Sequence, residues 1–308
     1  MTRAPRDDRG FALIAVLLVL AIISVLGAEF AYATRLEASA VRAYKDGITG
    51  AHLAEAAIAQ AIRELIGDWT VVAADEEGEL TFYTRDRVPI PHLPRRQVEF
   101  GPGQFSYRLR DEEALLNVNT AQPGRLEALL DALGVQRAQR DQIVDSIQDW
   151  RDPNEEHRLS GAESDDYYLK LPVPYRARNA NLESVNELLQ IRGVTPELFN
   201  GADRRPGLAD AVTVRSVGQI NINTVSPLVM RALGLSDAEA GTVILTRRET
   251  PYQSVPGQFG GRGFAVTSRT FRVTAEGIVH GRVAARITAI LRRQSESDVA
   301  IVEWSGVQ

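Results

Sequence analysis

Residues 11–28, FALIAVLLVLAIISVLGA, form an unbroken apolar block without a single charge. A run of about 18 apolar residues is near the lower limit for a helix that crosses a bilayer. A cleaved secretory signal has a shorter apolar core, then a polar gap and a small-x-small site. Here the helix-compatible pattern continues past the block, so the sequence predicts a retained span. From 29 to 66 there is no proline, and Gly47 and Gly50 are the only breakers. Ala51, Ala54, Ile58, Ala61, Ile62 and Leu65 recur at steps of three or four, which is one apolar stripe of an amphipathic helix. Each glycine costs about 1 kcal/mol against alanine in a helix, so Gly47 and Gly50 are expected to mark a flexible or bent point. Gly67 and Asp68 end the pattern. One long helix is predicted, half in lipid and half laid on a globular domain.

The period then changes to two. Residues 81–85, 98–100 and 105–110 alternate, the last two runs being separated by the turn Gly101-Pro102-Gly103. Between them Pro89, Pro91 and Pro94 are expected to forbid regular structure and mark a surface loop. The clearest sheet signal is later: residues 270–277 and 282–291 flank His280-Gly281 and read as a hairpin. The region between, about 112–250, reads as helical and holds an internal repeat. LNVNTAQP (116–123) is echoed by ININTVSP (220–227), each followed by an apolar helix pattern. Thr120 and Thr224 are placed to cap those helices, and Pro123 and Pro227 fall in the first turn, where a missing N–H costs nothing. A third start lies at Thr195-Pro196-Glu197. Helices inserted between strands of one sheet imply α+β architecture.

Composition narrows the function. With 308 residues the chain has room for about two domains. A net charge of −5 argues against a nucleic-acid surface. The absence of cysteine removes disulfides, thiol nucleophiles and Cys-zinc sites. Arginines at 3, 6 and 9 precede the span and Arg35, Arg42 and Lys45 follow it, so charge gives little orientation.

Candidate chemistry is concentrated in the acidic window 149–166, DWRDPNEEHRLSGAESDD. Asp149, Asp152, Glu155, Glu156, Glu163, Asp165 and Asp166 face only Arg151 and Arg158 there, and Asn154 adds a neutral oxygen. Ca²⁺ takes six to eight hard oxygens in flexible geometry, which such a loop can supply, although the spacing is not that of an EF-hand. A solvated acidic loop is the alternative. His52, His92, His157 and His280 are scattered, and neither a nucleophile elbow nor HExxH occurs, so no active site is read. The glycines at 257, 260, 261 and 263 lack the Lys-Ser/Thr ending of a phosphate loop.

Gly10-Phe11 followed by an unbroken apolar helix resembles the class III signal of type IV pilins and pseudopilins, in which a peptidase cuts after the glycine and methylates the new N-terminal residue. Most such proteins carry Glu at the fifth mature position; this chain has Ala15 there. Together with LNVNTA (116–121), DWRD (149–152), GAESDDYY (161–168), PYR (174–176), NLESVNEL (181–188), IRGV (191–194) and ININT (220–224), this pattern resembles the minor pseudopilin K family of type II secretion over nearly the whole chain. The resemblance implies an α+β, pilin-like fold: a long N-terminal helix on an antiparallel sheet with a large helical insertion of SAM-like modules. It divides the chain into a leader (1–10), a transmembrane helix (11–33, the first part of a helix 11–66), a body (34–111 and 262–308), a first module with the acidic loop (112–212) and a second (213–261). It implies cleavage after Gly10, methylation of Phe11, a single-pass inner-membrane location with a periplasmic C-terminal domain, and no enzymatic activity. The implied partners are minor pseudopilins I and J, the major pseudopilin filament and the prepilin peptidase. A subunit lacking the buried carboxylate at position 15 suits a filament end. Members of the family bind calcium in the insertion, and Asp149, Asp152, Asn154, Glu163, Asp165 and Asp166 are the expected ligands. Loss of the leader, with three arginines and two aspartates, takes the net charge from −5 to −6. Three other readings stay open. The Asn-x-Asn-Thr helices also resemble helix-hairpin-helix modules, as in a DNA-binding membrane protein of competence type, although no strong Gly-x-Gly hairpin is present and nucleic acid is not expected. A membrane-anchored hydrolase and a type IV pilus tip subunit are the other two.

Overall fold

The computed structural model describes residues 9–203 and 205–306, so most of the expected leader (1–8) lies outside the described residues. Helix α1, Arg9–Leu65, is continuous through both glycines. Its apolar first half is exposed along its whole length, as a lipid-facing span requires. Its last turns bury Leu53, Ala54, Ala57, Ile58, Ala61 and Leu65 against a sheet. The alanines let the helix lie close, and each large aliphatic side chain contributes roughly 2 kcal/mol by leaving water.

After α1 come β1 (Val71–Ala74), β2 (Leu80–Tyr83) and β3 (Pro89–Ile90), an antiparallel three-stranded sheet at the far end of the helix. Strands β4 (Val98–Phe100) and β5 (Gly103–Asp111) then enter the main sheet. The chain leaves that sheet at Asp111 and returns only at Thr270. The excursion holds β6 (Leu116–Asn117), α2 (Pro123–Ala132), α3 (Arg137–Arg151), α4 (Pro196–Asn200), β7 (Val212–Thr213), β8 (Ile220–Asn221), α5 (Pro227–Ala232), α6 (Asp237–Glu249) and β9 (Phe264–Ala265). Strands β10 (Thr270–Val279), β11 (Arg282–Arg293) and β12 (Val299–Trp304) complete an antiparallel sheet of order β12-β11-β10-β5-β4. The predicted hairpin is β10–β11, turning at His280 and Gly281, both at positive φ. The fold is thus α+β, with a long helix on an antiparallel sheet and a large helical insertion.

Three local expectations are corrected. Gly50 is a packing residue rather than a bend. A Cβ there would lie 2.7 Å from the Cβ of Ala284, and one on Gly277 would collide with the Gly50 carbonyl. The two glycines face each other where α1 crosses the sheet, and bare backbone is what permits the approach. The proline segment is not wholly irregular, because Pro89 and Ile90 pair with Tyr83 and Phe82 on a sheet edge, where a missing N–H is tolerated. Thr120 and Thr224 do not cap their helices. Ser226 caps α5 by accepting from the Val229 N–H, and α2 has no side-chain cap at Gln122.

The proline segment also delivers Arg95 to the core. Its guanidinium donates to Glu64 (2.6 Å), to Glu79 (3.2 Å) and to the Leu80 carbonyl (2.8 Å), and the Tyr107 hydroxyl donates to Glu64 (2.8 Å). This buried cluster ties α1, β2 and β5 together. Trp69, 4.8 Å from the Phe82 ring and 5.9 Å from Phe271, joins the two sheets, with the Arg293 guanidinium stacked on it.

Substituting Gly277→Ala places a methyl group into the Gly50 carbonyl and forces helix and sheet apart. The expected cost is about 1–3 kcal/mol, seen as a fall of roughly 5 °C in the melting temperature of the detergent-solubilised chain by circular dichroism.

Candidate functional site: a duplicated head with one acidic loop

The repeat in the sequence is a repeat in hydrogen bonding. Asn117 accepts from the Asn119 N–H (2.9 Å), and Asn221 accepts from the Asn223 N–H (2.9 Å). The second asparagine of each motif then clamps a distant backbone. Asn119 accepts from the Leu182 N–H (2.8 Å) and donates to its carbonyl (2.9 Å). Asn223 does the same to Tyr252, at 2.8 and 2.9 Å. The following helix pair returns an arginine to the motif. Arg151, ending α3, donates to the carbonyls of Val118 and Ala121, and Arg247, in α6, donates to those of Ile222 and Val225. Short parallel pairings, β6 with β7 and β8 with β9, close each copy. Burial pulls the Arg247 guanidinium down to about 10, because it is held by carbonyls rather than by a carboxylate. The sequence reading missed the role of both arginines; their signal is that each lies in the last turn of the helix pair after an Asn-x-Asn-Thr motif.

The two copies differ most in the chain that leads to the clamp. Tyr252 follows Arg247 by five residues, whereas Leu182 follows Arg151 by 31. The added length is the acidic window and its continuation, so this loop is an insertion into one copy of a duplicated unit. Its floor is aromatic: Trp150, Tyr168 and Tyr175 lie within 5.2–6.3 Å of one another, and Arg192 stacks on Tyr167.

The expected ligand residues divide into three groups. Asp149 is buried and accepts from the Arg158 guanidinium (2.7 Å), which also pairs with Asp152 (2.7 Å). Burial still pushes the Asp149 carboxyl up, against the lowering effect of Arg158. Gly161 passes so close to Asp149 that any side chain there would strike the carboxylate. Asp152 and Asn154 shape the turn, Asn154 donating to Asp152 (2.7 Å) and accepting from the Glu156 N–H (2.8 Å). Asp166 accepts from the Glu163 N–H (2.8 Å), while Asp165 is exposed and 3.8 Å from Arg176. Glu163 differs from all of these. It is 1% exposed, and neither carboxylate oxygen has a hydrogen-bond partner. Burial, and then the charges of Asp149, Glu155, Asp152 and Asp166, push it up to about 7. Among the described residues no three acidic or histidine side chains converge in a metal-holding arrangement, and Arg158 occupies the place between Asp149 and Asp152. Phe11 and Ala15 lie exposed on α1, far in sequence from this loop.

A second polar centre welds head to body. Asp111, the last residue of β5, accepts from the hydroxyls of Thr224 (2.5 Å) and Ser268 (2.5 Å) and from the Glu113 N–H (2.9 Å). Asn221 donates to Ser268 (2.7 Å). Glu112 pairs with Arg272 (2.7 Å) and accepts from Thr213, and Glu113 accepts from the Thr270 N–H (2.8 Å). The exit from the sheet, the second motif and the return to the sheet therefore meet at one carboxyl. Burial and the neighbouring Glu113 hold the Asp111 carboxyl well above the usual range. Thr224, expected to be a cap, is a partner of this carboxyl.

Residues 107–204 match the family model described as type II secretion system (T2SS), protein K. The chain is 26% identical over 299 residues to the type II secretion system protein K of Pseudomonas aeruginosa, covering 88% of this chain and 85% of that protein. It is 26% identical over 273 residues to the protein K of Aeromonas hydrophila, covering 79% and 76%. Its fold is similar to a chain in the crystal structure of the GspK-GspI-GspJ complex from enterotoxigenic Escherichia coli, with a TM-score of 0.53, 20% identity, and coverage of 69% of this chain and 83% of that one.

A carboxyl raised in the folded state stabilises fully below its unfolded value, and that contribution is lost as pH rises through the raised value. For Asp111 the loss begins above about pH 4 and continues through neutrality. The melting temperature of wild type minus that of Asp111→Asn is expected to fall steadily from pH 5 to pH 8. A constant difference shows that Asp111 titrates normally.

Proposed function

We propose that this chain, a relative of type II secretion system protein K by sequence and by fold, works as a minor pseudopilin at the tip of a periplasmic pseudopilus. In this reading residues 11 to about 30 hold it in the inner membrane as a single-pass protein, with the rest in the periplasm. Cleavage follows Gly10, and Phe11 becomes the methylated N-terminus. Minor pseudopilins I and J are its partners at the tip and the major pseudopilin filament lies below. The role is structural rather than catalytic.

The observation that carries this reading is the placement of the head. The whole excursion from Asp111 to Thr270 leaves between two neighbouring strands and meets the far end of α1's sheets, where the Ala74 N–H donates to the Asn223 carbonyl (3.1 Å) and Gln253 donates to the Arg85 carbonyl (2.6 Å). Ala28 and Leu65 are about 55 Å apart along the helix at 1.5 Å per residue, so the bulk is carried far above the lipid. A broad head there obstructs the stacking of a further subunit, and Ala15 removes the carboxylate that a subunit above would engage. Small residues at Ala12, Ala15, Ala21, Ser24, Gly27 and Ala28 allow close helix approach in lipid. Mass spectrometry of the protein from its native membrane tests the class: the expected N-terminus is methylated Phe11, and a chain beginning at Met1 overturns the reading.

The head is proposed to hold calcium at the acidic loop. The support is Glu163, a buried carboxylate with both oxygens unpartnered and several acidic neighbours, which is the donor chemistry a hard cation relieves. Asp149, Asp152, Asn154, Asp165 and Asp166 are the accompanying candidates, and Arg158 would have to yield its place to the ion. Calcium would supply charge that the loop lacks and would stiffen it. Adding calcium at about 1 mM is expected to raise the melting temperature of the full chain. Glu163→Gln should melt higher than wild type without calcium and lose the calcium shift. An unchanged wild-type melting curve removes the metal from the proposal.

A further inference from the structure

One face of the main sheet is covered by α1, and the other carries Arg108, Arg110 and Arg272, of which the first two have no ion pair among the described residues. Phe105, Tyr107 and Leu109 of β5 and Phe271, Val273 and Ala275 of β10 point to the helix and are buried. The alternate residues of β5 therefore point away from it, and Arg108 and Arg110 are exposed. Register places Arg110 directly opposite Arg272, and Arg108 opposite Thr274, which is itself opposite Thr288. Like charges directly opposite each other across antiparallel strands are destabilising. Three carboxylates on this side are engaged by arginines, Glu112 with Arg272 (2.7 Å), Glu276 with Arg286 (2.6 Å) and Glu303 with Arg215 (2.7 Å), and Glu99, at the other end of β5, accepts from Gln104 (2.6 Å). Arg108 and Arg110 have no ion pair among the described residues. A chain of net charge −5 thus places two arginines without an ion pair, and a third beside them, on the sheet face turned away from α1.

We infer that this face is a docking surface for a carboxylate-bearing face of a neighbouring protein subunit. Charge complementarity selects the occupant. A guanidinium is a planar fork that grips a carboxylate through two parallel bonds, and the flanking hydroxyls of Thr274 and Thr288 add donors that such a surface can use. Lipid phosphate does not fit. The Tyr107 hydroxyl reaches Glu64 at 2.8 Å, so the row stands level with the end of α1. That is about 55 Å along the helix from Ala28, far beyond the screening length of about 8 Å at physiological salt.

The inference rests on the assembly proposed above, and the test separates the two. The full chain is co-purified in detergent with the type II secretion proteins I and J, and affinity is measured from about 50 to about 300 mM salt. The expected result for the double variant Arg108→Glu, Arg110→Glu is a dissociation constant raised at least about tenfold, with the salt dependence of the wild type largely lost. Arg108→Lys, Arg110→Lys should retain the salt dependence with weaker binding. A melting curve for each variant, expected to match wild type because both positions are exposed, separates lost docking from lost folding. If wild type and the glutamate variant bind I and J alike, the surface assignment is overturned and the assembly stands. If wild type binds neither protein, both fall.

Discussion

The constraint from which the rest follows is the close seating of one helix on one sheet. A helix of 57 residues draws most of its stability from what its apolar stretches pack against. The first stretch is exposed and is long and apolar enough to cross a membrane. The second half takes the sheet, and it can do so only because Ala54, Ala57 and Ala61 keep its buried stripe thin and because Gly50 and Gly277 meet as bare backbone. The Arg95–Glu64–Tyr107 cluster then fixes the helix end, where a polar network is affordable because every charge in it has a partner. With the helix fixed, the strands are fixed, and with the strands fixed, the point where the head leaves and returns is fixed.

At that point the chain concentrates polar groups that are costly to bury. Asp111, Glu112 and Glu113 are consecutive and all nearly inaccessible. Their partners come from the second motif, from β7 and from the return strand, so the joint exists only when the body and both modules are folded. The head is consequently not a tethered domain but an extension of the sheet's own hydrogen bonding. Pulling on the head must break several buried bonds together.

The duplicated module shows how a structural unit acquires a special loop. In the second copy Arg247 and Tyr252 almost adjoin, and the clamp from Asn223 closes the unit with minimal chain. In the first copy the same clamp, Asn119 on Leu182, closes only after the acidic loop. The loop packs back on α3 through Trp150 and Tyr168 and through Arg158 on Asp149, so Glu163 is buried with no hydrogen-bond partner inside an otherwise well-tied loop.

Much of this was legible in the residues. The apolar block, the helical stripe through Leu65, the hairpin at His280-Gly281 and the paired Asn-x-Asn-Thr motifs are all local patterns, and local periodicity survives whatever the fold does with it. The acidic window could be located for the same reason. What the sequence left undetermined was pairing at a distance. It could not distinguish Gly50 as a contact from Gly50 as a bend, because the difference lies in Gly277, more than two hundred residues away. It assigned Thr224 to a helix end, whereas the approach of Asp111 makes it a buried donor. It treated the acidic residues as one set, and only tertiary structure separated those satisfied by Arg158 from the orphaned Glu163. The order of residues sets which groups can be helix, strand or turn; which charges are answered and which are left unpaired is decided by neighbours that only folding brings within a few ångströms.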